Sequence, residues 1–334
     1  MEAEIVLSVQ FAPTHLDLRG PSEAKIGEVV TYSCVTANSN PPASIRWVVG
    51  NETKVPQNSR SELSPRGGWV TRSNITVMLT DSDRSKLITC KAYTNEVNEV
   101  KSESKMLSVI YPPGAPQIQG LLGSHGSAEI LTAGSMKRLT CTSIAGNPLA
   151  ELRWFVEPPN FNPTKVGSAL ERRELNSFYS TRDNFATAEL EYIPKPEDNG
   201  GRLTCEATSP ALSRPMRAFA EVVVLFSARS VKISADPERP RGGKNVTLTC
   251  ETDPAGSNPA SAVSWWHNGE KLEPVSEMIL DGKYGGFVTA SYLQIRLTPQ
   301  HNGAVITCEA VNQKLGHEIH DALTLNVERK LTRF

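Results

Sequence analysis

Segment 39–47 reads SNPPASIRW, segment 146–154 reads GNPLAELRW and segment 257–265 reads SNPASAVSW. Three copies of one pattern, each closing on a tryptophan, make an internal repeat, and a repeat organises everything around it. Upstream of Trp47, Trp154 and Trp265 a cysteine lies 13, 13 and 15 residues away, at Cys34, Cys141 and Cys250. Downstream a second block recurs: LITCKA from Leu87, RLTCEA from Arg202 and VITCEA from Val305. Its cysteines, Cys90, Cys205 and Cys308, follow the first set by 56, 64 and 58 residues. Around both blocks apolar and polar residues alternate, which is the period of a half-buried strand. In NVTLTCET, Val246, Leu248 and Cys250 share one face. Ile45 with Trp47, Leu152 with Trp154, and Val263 with Trp265 repeat that arrangement.

A Cys…Trp…Cys triplet at these intervals resembles the immunoglobulin domain: two facing strands clamped by a disulfide with a tryptophan packed on it. Six cysteines allow fifteen pairings. The repeat register selects Cys34–Cys90, Cys141–Cys205 and Cys250–Cys308, with Trp47, Trp154 and Trp265 as core tryptophans. Each pair closes a loop for which chain entropy gives roughly 4 kcal/mol as an upper estimate. The expected fold is all-β: three tandem immunoglobulin-like β-sandwiches arranged as an elongated rod, over residues 14–112, 113–226 and 227–328.

The composition agrees. At ~100 residues per sandwich, 334 residues accommodate three. Apolar residues make up 39% of the chain, and 35 Lys and Arg against 36 Asp and Glu leave a net charge of −1. No basic excess points to nucleic acid or to an anionic membrane. No stretch is long and apolar enough to span a bilayer, and Met1–Glu4 is neither a cationic nor an apolar part of a signal peptide. An even set of regularly spaced cysteines reads as disulfides, which persist in oxidising compartments. The expected location is therefore extracellular.

The junctions are short. KMLSVIYPPGAP spans Lys105 to Pro116 and AEVVVLFSARSVKISA spans Ala220 to Ala235, with no Gly/Ser-rich linker. Pro112, Pro113 and Pro116 favour extended backbone. EIVLSVQFAP, from Glu4 to Pro13, is similar to these junctions, so residues 1–13 are expected to be the end of a preceding domain or a leading strand. The tail, residues 329–334, shows no fold signal.

The SNPPA segment, the WWHNGEKL run from Trp265 to Leu272, and the VQFAP and IYPP junctions resemble the nephrin family, which includes the insect proteins Hibris and Sticks-and-stones. The sidestep and nectin-like receptors share part of the pattern. The resemblance covers nearly the whole chain. It implies a single-pass adhesion receptor with many immunoglobulin domains that binds a Kirrel-like partner on an opposing cell, mainly through its membrane-distal domain. Weak homophilic or cis contacts would fall to a segment such as this one. One departure stands out: the tyrosine two residues before the second cysteine of antibody domains is replaced by Ile88, Leu203 and Ile306. The three sandwiches must fix that corner in another way.

Three Asn-x-Thr sequons, at Asn51, Asn74 and Asn245, are candidate glycosylation sites, whereas Asn40 and Asn162 are followed by proline. Alternation turns Asn74 and Asn245 outward and puts Asn51 in a turn. If Trp265 packs on the disulfide, Trp266 faces out and is a candidate protein contact, the alternative being a ring shielded by neighbouring Arg or Lys side chains or by a glycan. Trp69 and Phe287 sit in matching blocks, GGWVTRSNI and GGFVTASYL, which favours a structural role. Gly67–Gly68, Gly242–Gly243 and Gly285–Gly286 read as turns. His317 and His320 lie in HEIH, which lacks the HExxH zinc spacing, and no Walker, GxGxxG or GxSxG motif occurs. Glu197 and Asp198 sit before the last cysteine-bearing strand of the second repeat with no partner base. No catalytic residue, metal, cofactor or small-molecule substrate is expected. The function expected is a spacer and lateral-contact segment of an adhesion receptor; the alternatives are a receptor for a soluble ligand and a purely structural stalk.

Overall fold

The computed structural model describes residues 7–80, 83–121, 128–159, 161 and 172–327. Residues 1–6, Asn162 and the tail 329–334 lie outside the described residues.

Every described strand belongs to one of three sandwiches. The first contains β1 (Leu16–Arg19), β2 (Glu23–Lys25), β3 (Val29–Thr36), β4 (Ser44–Val49), β5 (Glu52–Lys54), β6 (Asn58–Leu63), β7 (Trp69–Met78), β8 (Ser85–Thr94) and β9 (Glu99–Ile110). They form two sheets, in the orders β1-β3-β7-β6 and β2-β9-β8-β4-β5. The second contains β10 (Gln117–Gln119), β11 (Glu129–Thr132), β12 (Lys137–Ile144), β13 (Glu151–Glu157), β14 (Arg173–Leu175), β15 (Phe178–Arg182), β16 (Phe185–Tyr192), β17 (Arg202–Thr208) and β18 (Met216–Leu225). Its sheets are β10-β12-β16-β15 and β11-β18-β17-β13-β14. The third contains β19 (Val231–Asp236), β20 (Asn245–Thr252), β21 (Ala262–His267), β22 (Glu270–Leu272), β23 (Ser276–Asp281), β24 (Phe287–Arg296), β25 (Val305–Asn312) and β26 (His317–Thr324). Its sheets are β19-β20-β24-β23 and β22-β21-β25-β26.

The alternation in the sequence becomes the two faces of each sheet. Along β3, Val30, Tyr32, Cys34 and Thr36 are buried while their neighbours are not. Along β20, Val246, Leu248, Cys250 and Thr252 repeat this. Between the sheets Cys34 joins Cys90, Cys141 joins Cys205 and Cys250 joins Cys308, with Cα atoms 6.4, 6.4 and 6.3 Å apart. Trp47, Trp154 and Trp265 lie directly across from Cys90, Cys205 and Cys308 on the adjoining strand and are fully buried. A buried indole N–H needs an acceptor. Trp47 Nε1 donates to Ser73 Oγ at 3.0 Å, Trp265 Nε1 to Ser291 Oγ at 3.0 Å, and Trp154 Nε1 to the Ala188 carbonyl at 3.1 Å.

Candidate recognition surfaces and interdomain joints

The corner that lacks its tyrosine is held by the turn before β8, β17 and β25. In the first sandwich, Asp83 Oδ2 accepts from the backbone N–H and the hydroxyl of Thr80 at 2.7 and 3.0 Å, and Asp83 pairs with Lys86 at 2.8 Å. In the second, buried Asp198 accepts from Tyr192 Oη at 2.8 Å, from the Lys195 N–H at 3.0 Å and from Arg173 at 2.6 Å. Burial first, and then the adjacent Asp198 carboxylate, push the Tyr192 phenol far above its ordinary value. In the third, His301 Nδ1 accepts from the Thr298 N–H at 2.9 Å. Asp198 is thus a structural carboxylate.

A second charged group lies on the outer face of β17. Glu206 Oε2 receives Arg172 Nη1 at 2.8 Å and Arg217 Nη2 at 2.7 Å. The Arg172 guanidinium stacks 3.8 Å from the centroid of the Phe155 ring. Burial would raise the Glu206 carboxyl, but the hydrogen bonds from Arg172 and Arg217 outweigh it and hold it below its ordinary value. Arg153 beside them is matched by Glu151 and Glu174. Each charge in this cluster has its counter-charge. Among the described residues no group of three His, Cys, Asp or Glu side chains is placed to hold a metal ion, and His317 and His320 are exposed on β26.

The two joints between sandwiches are built by Asn147 and Asn258 of the GNP and second SNP segments, and Asn40 holds the lead-in to the first sandwich in the same way. Phe226 and Asn258 exchange backbone hydrogen bonds of 3.0 and 2.8 Å, and Asn258 Nδ2 donates to the Val224 carbonyl at 2.8 Å. Tyr111 and Asn147 exchange bonds of 3.2 and 3.0 Å, and Asn147 Nδ2 donates to the Val109 carbonyl at 2.9 Å. Phe11 and Asn40 do the same at 2.8 and 2.9 Å, with Asn40 Nδ2 donating to the Val9 carbonyl at 2.7 Å. Each asparagine precedes a cis proline. The aromatic residue ahead of the first and third sandwiches then packs on that sandwich. A Cβ on Gly286 would lie 2.7 Å from Phe226 Cζ, and one on Gly68 would lie 3.0 Å from Phe11 Cζ. Trp69 and Phe287, which follow these glycines, exchange backbone bonds with Ser39 and Ser257. Those matching blocks therefore shape the seat for the incoming aromatic. Tyr111 is held differently, with the Arg84 guanidinium 4.0 Å from its ring centroid. At the joint between the second and third sandwiches, Asn199 adds a further tie: its Nδ2 donates to the Tyr284 carbonyl at 2.9 Å and its Oδ1 accepts from the Val224 N–H at 2.9 Å.

The candidate surface residues fall at three depths. Asn51 is exposed in the turn between β4 and β5, Asn245 is exposed at the start of β20, and Asn74 is half-buried on β7. Trp266 lies on the face of β21 opposite Trp265 but is not open to solvent. It is half-buried, and its Nε1 donates to Glu309 Oε2 on β25 at 2.7 Å. Trp266 keeps the outward side that alternation gives it, and the neighbouring strand supplies a carboxylate that pins the ring against the sheet.

Fold and paired cysteines define a protein built of tandem immunoglobulin domains. The sequence pattern of the CD80-like C2-set immunoglobulin domain matches residues 13–98, 125–216 and 231–319, and the chain belongs to that family. It is 28% identical to human nephrin over 327 residues, which is 98% of this chain and 25% of nephrin. It is 24% identical to rat cell adhesion molecule 2 over 294 residues, 86% of this chain and 60% of that protein. The chain spans about a quarter of the length of the nephrins it matches. Among solved structures, the complex of Dpr2 Ig1-Ig2 with DIP-Theta Ig1-Ig3 aligns with 93% of this chain and 99% of the matched chain, at 15% identity and a TM-score of 0.48.

Proposed function

We propose that this segment belongs to the extracellular part of a cell-surface receptor that mediates cell–cell contact, and that its three domains act there as spacer and lateral-contact modules. The observation that carries this reading is the repeated asparagine clamp. A flexible linker lets neighbouring domains reorient, whereas here only residues 111–116 and 226–230 lie between the strands of successive sandwiches, and Tyr111 and Phe226 are hydrogen-bonded into the next sandwich. Such a joint suits a segment that holds binding domains at a set reach. The similarity to nephrin and to cell adhesion molecule 2 supports the setting. The partner is a Kirrel-like immunoglobulin-superfamily receptor on the opposing cell, engaged through the parent protein. The matched charges around Glu206 and Asp198 brace the second sandwich.

Mixed-cell aggregation tests this. Cells displaying the parent receptor are compared with cells displaying a version whose three domains are replaced by a Gly/Ser linker of equal residue number. Adhesion is expected to persist, while the gap between membranes, measured by electron microscopy, loses its uniform width. Loss of adhesion with surface display intact would move recognition into this segment. An unchanged gap would remove the spacer role.

A further inference from the structure

Strand β23 closes one sheet of the third sandwich, paired with β24 on one side and with no described strand on the other. All six of its residues are exposed. A free edge offers a row of unpaired backbone N–H and C=O groups, and proteins blunt such edges with charges, proline, brevity or a cover. The equivalent edge of the first sandwich is blunted, and that of the second exposes Phe178 and Tyr179 but no aliphatic run. Strand β6 reads NSRSEL, carries the Arg60–Glu62 ion pair, and sets Asn58 directly opposite the sequon residue Asn74, where a glycan would stand over it. Strand β15 is a residue shorter and ties Tyr179 Oη to the Ala150 carbonyl at 2.9 Å. Strand β23 reads SEMILD: its centre is Met278, Ile279 and Leu280, exposed by 49, 58 and 47%, with no proline and no central charge. The sequon residue Asn245 pairs with Arg296, beyond the stretch of β24 that faces β23, so a glycan there leaves this edge clear.

We infer that β23 is a docking edge for an extended strand of a partner protein, apolar at its centre and basic at both ends. Backbone pairing of this kind takes its affinity from the ladder and its specificity from the side chains that alternate across it. Glu277, Ile279 and Asp281 lie opposite Ser291, Thr289 and Phe287 and share one side, while Met278 and Leu280 share the other. Neither Glu277 nor Asp281 has an ion-pair partner among the described residues. Side chains directly across two strands come within ~5 Å. Lys or Arg residues four positions apart on the added strand therefore meet both carboxylates while the residue between them meets Ile279. A second copy of this chain fits poorly. Antiparallel pairing of β23 with itself, centred on Ile279, sets Glu277 against Asp281 twice, and like charges directly opposite are unfavourable. The acidic ends thus guard the edge against its own kind and select a basic one.

The test uses the whole segment, labelled for NMR, and two capped peptides, Lys-Val-Ile-Val-Lys and Glu-Val-Ile-Val-Glu. The basic peptide is expected to shift backbone amides of β23 and β24, to weaken as salt rises, and to bind roughly tenfold or more tighter than the acidic one. The double variant Glu277→Lys with Asp281→Lys changes two exposed side chains and leaves the fold intact; its preference is expected to reverse to the acidic peptide. Equal binding of the two peptides, failure of both to shift β23 at millimolar concentration, or no reversal in the variant would overturn the inference. Dimerisation of the unmodified segment at neutral pH that Ile279→Lys abolishes would also overturn it, assigning the edge to a second copy.

Discussion

Replacing Asn258 by alanine removes the side-chain bond of the clamp between the second and third sandwiches and leaves the two backbone bonds in place. The side chain donates at 2.8 Å to the carbonyl of Val224, a residue with no exposed surface. Its contact with Asn199 Oδ1, at 3.4 Å, contributes little. Leaving a buried carbonyl without its donor costs about 1–3 kcal/mol. Applied to the local opening of this joint, that cost raises the open population by roughly 5- to 150-fold. Hydrogen exchange reads it directly at the Phe226 and Asn258 amides, which hold the bridge with bonds of 3.0 and 2.8 Å. Both are expected to exchange faster by that factor, while the amides of Cys250 and Cys308 in the core of the third sandwich keep their rates. Unchanged exchange at Phe226 would refute the clamp. Acceleration spread evenly through the third sandwich would also refute it, because Asn258 would then support the domain and not the joint. Asn147→Ala is expected to have a smaller effect at Tyr111, whose ring is also held by Arg84.

The second sandwich is expected to be alkali-sensitive. The Tyr192 phenol is raised in the fold and ordinary, near ~10, when unfolded. Its contribution is therefore fully present below pH ~10 and lost as pH climbs beyond, and Tyr192→Phe removes that slope in denaturation measured across alkaline pH. Glu206 behaves in the opposite sense: held low in the fold, it contributes above its unfolded value of ~4.3 and loses this as pH falls further. Glu206→Gln flattens the acid limb of the same stability curve. Replacing Cys141 and Cys205 together by alanine is expected to cost about 2–5 kcal/mol in the second sandwich, read from its melting transition.

The sandwiches were legible because a buried strand repeats every two residues and a clamped pair of strands marks itself with cysteine and tryptophan. The joints were visible only as letters. The Asn-Pro step occurs in all three repeats, but its acceptor lies 34 residues upstream of Asn258 on another domain's last strand, and nothing local names it. The paired glycines read as turns for the same reason: the ring of Phe226 over Gly286 is a tertiary contact. Alternation gave Trp266 its side of the sheet and not its depth, which depends on Glu309 from the adjoining strand. The openness of β23 follows from sheet order, which places it at an edge, and no local signal names it. The corner residue is an aspartate in the first two sandwiches, Asp83 and Asp198, but His301 in the third, so no single letter marked the corner in all three repeats.

Whether this segment sets reach or makes the recognition itself is decided most directly by equilibrium binding to an immobilised Kirrel-like ectodomain, comparing the isolated 334-residue segment with the intact parent receptor at one salt concentration. A spacer binds at least about 100-fold more weakly than the intact receptor, a difference of roughly 2.7 kcal/mol. Affinities equal to within about threefold, roughly 0.65 kcal/mol, would contradict the spacer role and place the recognition surface on these three domains.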